Sequence, residues 1–248
     1  MDVFGIHAKP SHANTLHSKR FNSNHTFGTA ANIPAEHQSY ILAQELNADV
    51  RFVDISAVFR LPAGLTKRDL METWSVGYRL MCRFHAYYVW HYAEQFDLVM
   101  RLDEDCSLIS VTFDPIESLC AAGGQFAAAA FVSESHDLTN QTLAPWATRY
   151  AATVFPRTRT ARAYNQVFPY TNLYVTRTAF WRQPEVQRFL YATISERDFI
   201  CLRWGDLPVL GVALNMFATP DRVYRIPHIS YRHASHNLTL APAGWHGL

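Results

Sequence analysis

The sequence lacks any apolar run long enough to cross a bilayer, and its first twenty residues, MDVFGIHAKPSHANTLHSKR, lack the apolar core of a secretory signal peptide. A soluble chain without a transmembrane segment is therefore expected. It also lacks an excess of charge of one sign. Its 22 Lys and Arg against 21 Asp and Glu leave a formal charge of +1, so no sequence-wide field draws nucleic acid or an anionic membrane. CxxC spacing is absent too. Cys82, Cys106, Cys120 and Cys201 are scattered, which excludes a zinc knuckle or a dense disulfide scaffold and leaves buried free thiols as the default. There is no internal repeat and no low-complexity linker. What is present, 248 residues with 49% apolar and 14% aromatic side chains, suffices to bury a full core in one large domain. Sequons at Asn24, Asn140 and Asn237 bear on the molecule only if it enters a secretory lumen.

Residues 1–32 are rich in His, Asn and Ser with little periodicity, and read as a poorly structured arm or a diverged first element. From residue 33 onward the pattern alternates between strands and helices. A short helix is expected over IPAEHQSYILAQEL, opened by Pro34, and a strand over DVRFVDIS. Helical spacing then runs from Leu65 to Phe96, with Thr66 as N-cap and Gly77 as a point of interruption. After the next strand come a short helix, a Gly-Gly turn and a buried strand over DPIESLCAAGGQFAAAAFVSE, then a surface helix or loop. A strand and a helix carrying Val186, Phe189, Leu190 and Ile194 follow, then a helix capped by Asp206, and a last strand over VYRIPHISYRHAS. Such alternation predicts an α/β domain: a central mixed, mostly parallel sheet flanked by helices.

The stretch EQFDLVMRLDEDCSLIS carries the first chemical signal. Its apolar run reads as a buried strand, and three acids stand at its exit, where open α/β sheets collect ligands. In an extended segment alternate residues share a face, so Asp103 and Asp105 point the same way and offer two hard oxygen ligands to one Mg²⁺ or Mn²⁺ ion. A solvated acidic turn is the alternative. Three further pieces have both a chemical and a bland reading. GYRLMCRF places Tyr78 with Cys82 and Arg79 with Arg83 on a helix, to meet a phosphate or sugar or merely to form a basic edge. RWGDLPV offers Trp204 as an aromatic platform and Asp206 as a carboxylate or a plain N-cap. HISYRHASH brings late histidines, among them His233, competent as metal ligands or simply exposed.

Taken in order, YRxMCRF, an acid-x-acid at a strand end, RWGDxPV and I-x-Y-x-H resemble the fungal α-1,2-mannosyltransferases of glycosyltransferase family 15, in which the stretches read approximately SYRHMCRF, WRVEPDV, ERWGDAPVHS and IGYYH. The resemblance spans roughly residues 33 to 235. It implies a GT-A-like fold, a DXD motif, Mn²⁺ (or Mg²⁺) as cofactor, GDP-mannose as nucleotide-sugar donor, a glycan or glycoprotein acceptor, and transfer with retention. It further implies that Asp103, Asp105 and His233 face the metal, that Tyr78 lies near the donor and that Asp206 lies near donor and acceptor sugars. Trp204, Arg79 and Arg83 complete the expected donor site.

One departure bears on mechanism. The family motif SNFEI carries a glutamate proposed as nucleophile, where this chain has TNLYV and Tyr174. Front-face transfer assisted by the leaving diphosphate needs no such carboxylate, and Tyr174 then serves as a hydrogen-bond partner or as the nucleophile itself. The family's first strand and nucleotide-base loop fall before residue 33, so either MDVFGI is that strand or the base-binding part is diverged or missing. The Golgi lumen is the compartment the resemblance implies, although the fungal relatives' membrane anchor is absent from this sequence. Two other functions compete: a non-catalytic sugar- or nucleotide-binding module that kept the fold, and a metallohydrolase using the same acids and histidines.

Overall fold

The computed structural model describes residues 3–10, 23–29, 39, 48–71, 74–103, 105–111, 114–155, 164–227, 229–233 and 238–240. Its strands are β1 (Val3–Pro10), β2 (Ser23–Thr29), β3 (Ala48–Asp54), β4 (Phe96–Asp103), β5 (Cys106–Val111), β6 (Phe126–Ala128), β7 (Phe131–Ser133), β8 (Val167–Pro169), β9 (Leu173–Arg177), β10 (Val223–Arg225), β11 (Ile229–His233) and β12 (Leu238–Leu240). Seven of them form the main sheet in the order β10-β6-β9-β4-β1-β2-β3, while β12-β11-β5 and β7-β8 form two small sheets.

The expected α/β class, a mixed sheet flanked by helices, is what the chain adopts, but the sheet is not mostly parallel. Among the described residues, only β6 with β10 and β2 with β3 pair in parallel. Its other four pairings, including both neighbours of β4, are antiparallel. The reason is burial. Along β9 and β6 successive residues enter opposite cores: Tyr174, Phe126 and Ala128 on one face, Leu173, Val175 and Ala127 on the other. A strand covered on both faces reads as a continuous apolar run whatever its neighbours' direction.

The first face is covered by helices Val76–Arg83, Pro184–Ser195 and Asp206–Phe217, whose buried Leu80, Phe189 and Leu210 join the larger core. Ile229 and Tyr231 of β11 and Leu119 of helix Pro115–Ala121 pack on the second. Trp90 and Trp181 stack almost flat in the larger core, 4.5 Å between centroids.

Local signals explain most boundaries. Thr66 is the expected N-cap, closing a reciprocal capping box with Asp69, but around a single 3₁₀ turn, Lys67–Asp69. The helix proper starts at Val76 behind Ser75, whose hydroxyl accepts from the Tyr78 N–H. Gly77 lies inside it. A π-helical turn, Phe84–Tyr88, then leads into Val89–Tyr92. The Gly-Gly turn is present, with Gly123 at φ 62.

Within residues 1–32, read as a loose arm or diverged first element, β1 and β2 run as strands, and β1 pairs directly with β4, Phe4 opposite Asp103. β1 takes in VFGI of the MDVFGI stretch, one alternative for the first strand, while polar residues hid β2, whose sheet pairing is supplied by the neighbouring strands rather than by an apolar alternation of its own. The helix expected over 33–46 lies outside the described residues except for Ser39, which is helical. The last expected strand is two, β10 and β11, in different sheets.

Candidate active site

A cleft of about 740 Å³ opens where β4 ends, between the main sheet, the small β12-β11-β5 sheet and the start of helix Asp206–Phe217. It is lined on one side by Asp103, Asp105, Tyr170, Asn172 and His233, and on another by Trp74, Tyr78, Arg203 and Asp206.

Alternation along β4 puts Arg101 and Asp103 on one face, and they pair there. Arg101 Nε donates to Asp103 Oδ1 at 2.7 Å and its Nη1 to Asp206 Oδ2 at 2.6 Å. This guanidinium is almost completely buried and binds two carboxylates brought from separate elements. Burial works against ionisation of Asp206, but the charge of Arg101 beside it holds its carboxyl below the usual carboxylate range. For Asp103 burial prevails over the same cation and shifts the carboxyl upward. Asp206 is the first residue of its helix rather than the cap. Gly205, at φ 77, occupies the cap position, directly after Trp204 and an Arg203 that is itself at φ 53.

Asp105 belongs to a different constellation. The alternation that would align it with Asp103 ends with β4, because the chain there leaves the main sheet for β5. Asp105 Oδ1 instead stands 3.0 Å from Nε2 of His233, at the end of β11, and the other ring nitrogen of that histidine is 2.9 Å from the Tyr170 hydroxyl. Asp105, His233 and Cys106 bring one donor atom each to within 4.8 Å of one another. This set fits a divalent ion. Two ligands at about 2.1 Å from a six-coordinate ion, at right angles, stand about 3 Å apart. The Tyr170 hydroxyl on Nδ1 holds the imidazole in an orientation that leaves Nε2 facing Asp105, as the partner of a metal-binding histidine does.

The remaining sequence-predicted residues divide. Tyr78 lines the cleft: its hydroxyl accepts from Arg203 at 3.1 Å, its ring stacks on Trp74 at 4.6 Å, and the Arg203 guanidinium lies 4.2 Å from the Trp74 centroid. Arg79, Arg83, Trp204 and Tyr174 do not line it. Arg79 is buried, with Nη1 donating to the carbonyls of Ile200 (2.6 Å) and Cys201 (3.1 Å), Nε to Trp74 (3.2 Å) and Nη2 to Met71. Arg83 sits over the Tyr88 ring, and Trp204 is buried with its indole N–H on Thr142. Tyr174 is buried against Phe126, directly opposite Arg101 in the sheet, and burial first of all raises its phenol.

Sequence reasoning missed Arg101, Tyr170, Asn172, Trp74 and Arg203. Arg101 did leave a signal: a single cation inside an apolar strand, two positions before an acid. Asn172 is buried at the cleft wall. Its Oδ1 accepts from Tyr231, its carbonyl accepts the Asp103 N–H, and its Nδ2 has no hydrogen-bond partner among the described residues.

The profile of the glycolipid 2-alpha-mannosyltransferase family matches residues 16–241. A probable mannosyltransferase of Saccharomyces cerevisiae, KTR3, is 24% identical over 67% of this chain and 45% of its own length. The glycolipid 2-alpha-mannosyltransferase of the same yeast is 22% identical over 64% of this chain and 39% of its own. The chain thus spans less than half the length of these curated relatives. Among solved structures, core-mannan synthase A from Aspergillus fumigatus in its Mn/GDP form superposes with a TM-score of 0.75, at 16% identity, over 86% of this chain and 66% of that one. The mannosyltransferase Ktr4p of S. cerevisiae in complex with GDP gives 0.72, at 17% identity, over 84% and 62%. These neighbours are of the GT-A type, which the present α/β fold shares.

Proposed function

Because the chain belongs to the glycolipid 2-alpha-mannosyltransferase family, we propose that it is a metal-dependent, retaining hexosyltransferase that moves mannose from GDP-mannose to a glycan or other hydroxyl acceptor. The observation that carries this reading is the pairing of Asp105 with His233 at 3.0 Å, in a cleft that also holds the ionised Asp206. Asp105 and His233 would hold Mn²⁺ or Mg²⁺, with Tyr170 orienting the imidazole. When bound, the ion supplies Lewis-acid stabilisation of the departing diphosphate.

The chain's own residues account for the rest. Arg101 keeps Asp206 charged and fixed, so a preorganised negative charge faces the cleft where an oxocarbenium-like centre gains positive charge. Asp103 is held by the same guanidinium, and it shapes the site from the wall rather than joining Asp105 as a paired ligand. Asn172 presents an amide donor to a ligand oxygen, and satisfying it contributes to donor binding. Tyr174, buried away from the cleft and opposite Arg101, would then support that guanidinium instead of acting as the nucleophile, a reading that favours front-face transfer.

Calorimetry of GDP, UDP and their sugar conjugates with and without Mn²⁺ tests the reading. Metal-dependent binding of GDP-mannose in preference to UDP-sugars, lost in Asp103→Asn/Asp105→Asn without unfolding, is expected. Wild-type affinity in that double variant overturns the site. The replacement of the family glutamate by Tyr174 favours a second reading, a binding module without turnover. Metal-stimulated hydrolysis of the donor excludes it.

A further inference from the structure

We propose that Cys106 is a third protein ligand of the divalent ion, making the centre an oxygen, sulfur and nitrogen set from Asp105, Cys106 and His233. This rests on the reading that an ion occupies the cleft, and it departs from the sequence expectation, in which Asp103 filled the third place.

Three observations converge. Cys106 and His233 are register partners across the β5–β11 ladder, so their side chains leave the same face of the small sheet. Asp105 immediately precedes the strand, and the three donor atoms lie within 4.8 Å of one another. Asp103, meanwhile, has both carboxylate oxygens turned to Arg101, at 2.7 and 3.3 Å. The thiol donates to the Asn172 carbonyl at 4.0 Å, a weak contact that coordination can replace.

On binding, a sulfur–metal bond forms and the thiol proton leaves to solvent. A thiolate is a soft ligand, so the set accepts Zn²⁺ and Co²⁺ readily, where an all-oxygen site favours Mg²⁺.

The test is a Co²⁺ titration followed by absorption and, in parallel, by calorimetry, on the full chain and on Cys106→Ala, with Cys106→Ser as the second variant should the first fail to fold. A sulfur-to-cobalt charge-transfer band is expected in the full chain and absent in the variant, which still binds Co²⁺ through Asp105 and His233 but at least about tenfold more weakly. Bound Co²⁺ without the band, a band that persists in the variant, or no Co²⁺ binding overturns the proposal. Metal-dependent GDP binding without the band removes Cys106 alone from the site. The band without any nucleotide binding leaves the three-ligand centre standing and overturns the transferase reading.

Discussion

Arg101 and Asp206, 105 positions apart in the chain, meet at 2.6 Å in the interior, and the same guanidinium also holds Asp103. One cation therefore pairs with two acids, the buried Asp206 and the half-buried Asp103, and balances the charge of only one of them. Arg101→Met leaves both carboxylates without it and is expected to cost about 3–5 kcal/mol of folding stability, as breaking buried pairs does. Urea denaturation measures this. A loss below about 1 kcal/mol, typical of exposed pairs, would show that the acids find other partners.

Tyr174→Phe separates support from chemistry. The hydroxyl lies in the core beside Arg101, so its removal should cost about 1 kcal/mol of stability and leave sugar transfer within a few-fold of the parent. Full loss of transfer with donor affinity retained would make the phenol a reacting group.

Arg79 is expected to matter for folding only. Its planar fork satisfies carbonyls of Met71, Trp74, Ile200 and Cys201 at once, a geometry that an ammonium group does not reproduce. Arg79→Lys should lower stability by about 2 kcal/mol or more while the metal-dependent affinity of the folded protein for GDP stays unchanged. A loss of affinity at full stability contradicts the structural role.

His85 gives the fold an acid limit. Burial, reinforced by the charge of Arg101 and opposed by that of Asp206, holds its pKa well below the ordinary 6.5. The unfolded chain therefore takes up the proton first. Stability from the neutral ring is complete above the ordinary value and falls as pH drops through it, by up to about 1.4 kcal/mol per pH unit. Chemical denaturation from pH 8 to pH 5 should show this slope in the parent and a shallower one in His85→Gln. Equal slopes dismiss His85 as the cause.

How far the sequence disclosed this arrangement depended on the range of the interactions. The strand ending at Asp103 and the helix carrying Val186, Phe189, Leu190 and Ile194 were legible because burial there follows local periodicity, and all four of those residues are buried. Tyr78, Asp103, Asp105, Asp206 and His233, singled out from the sequence, all line one cleft. Strand direction was not legible, since β4 is buried on both faces with antiparallel neighbours. Nor was the division of labour between Asp103 and Asp105. It depends on Asp103 ending a strand of the main sheet while Asp105 stands before a strand of the small one, a fact set by pairing with β9 and β11 far along the chain. Arg79 and Trp204 misled for the opposite reason: they look like ligand-binding groups, yet their polar atoms are consumed by carbonyls of Met71, Trp74, Ile200 and Cys201 and by Thr142.

The passage from β4 to β5 has a mechanical consequence. Asp103 closes a strand of the main sheet and Asp105 stands immediately before a strand of the small one, so their two carboxylates serve separate centres, the buried Arg101 cluster and the His233 pair. One residue inserted immediately before Asp105 is expected to keep the pairing of β4 and β5 with their own neighbours and to shift one centre against the other. Retained stability, coupled with lost metal-dependent binding, is the signature expected of such an insertion.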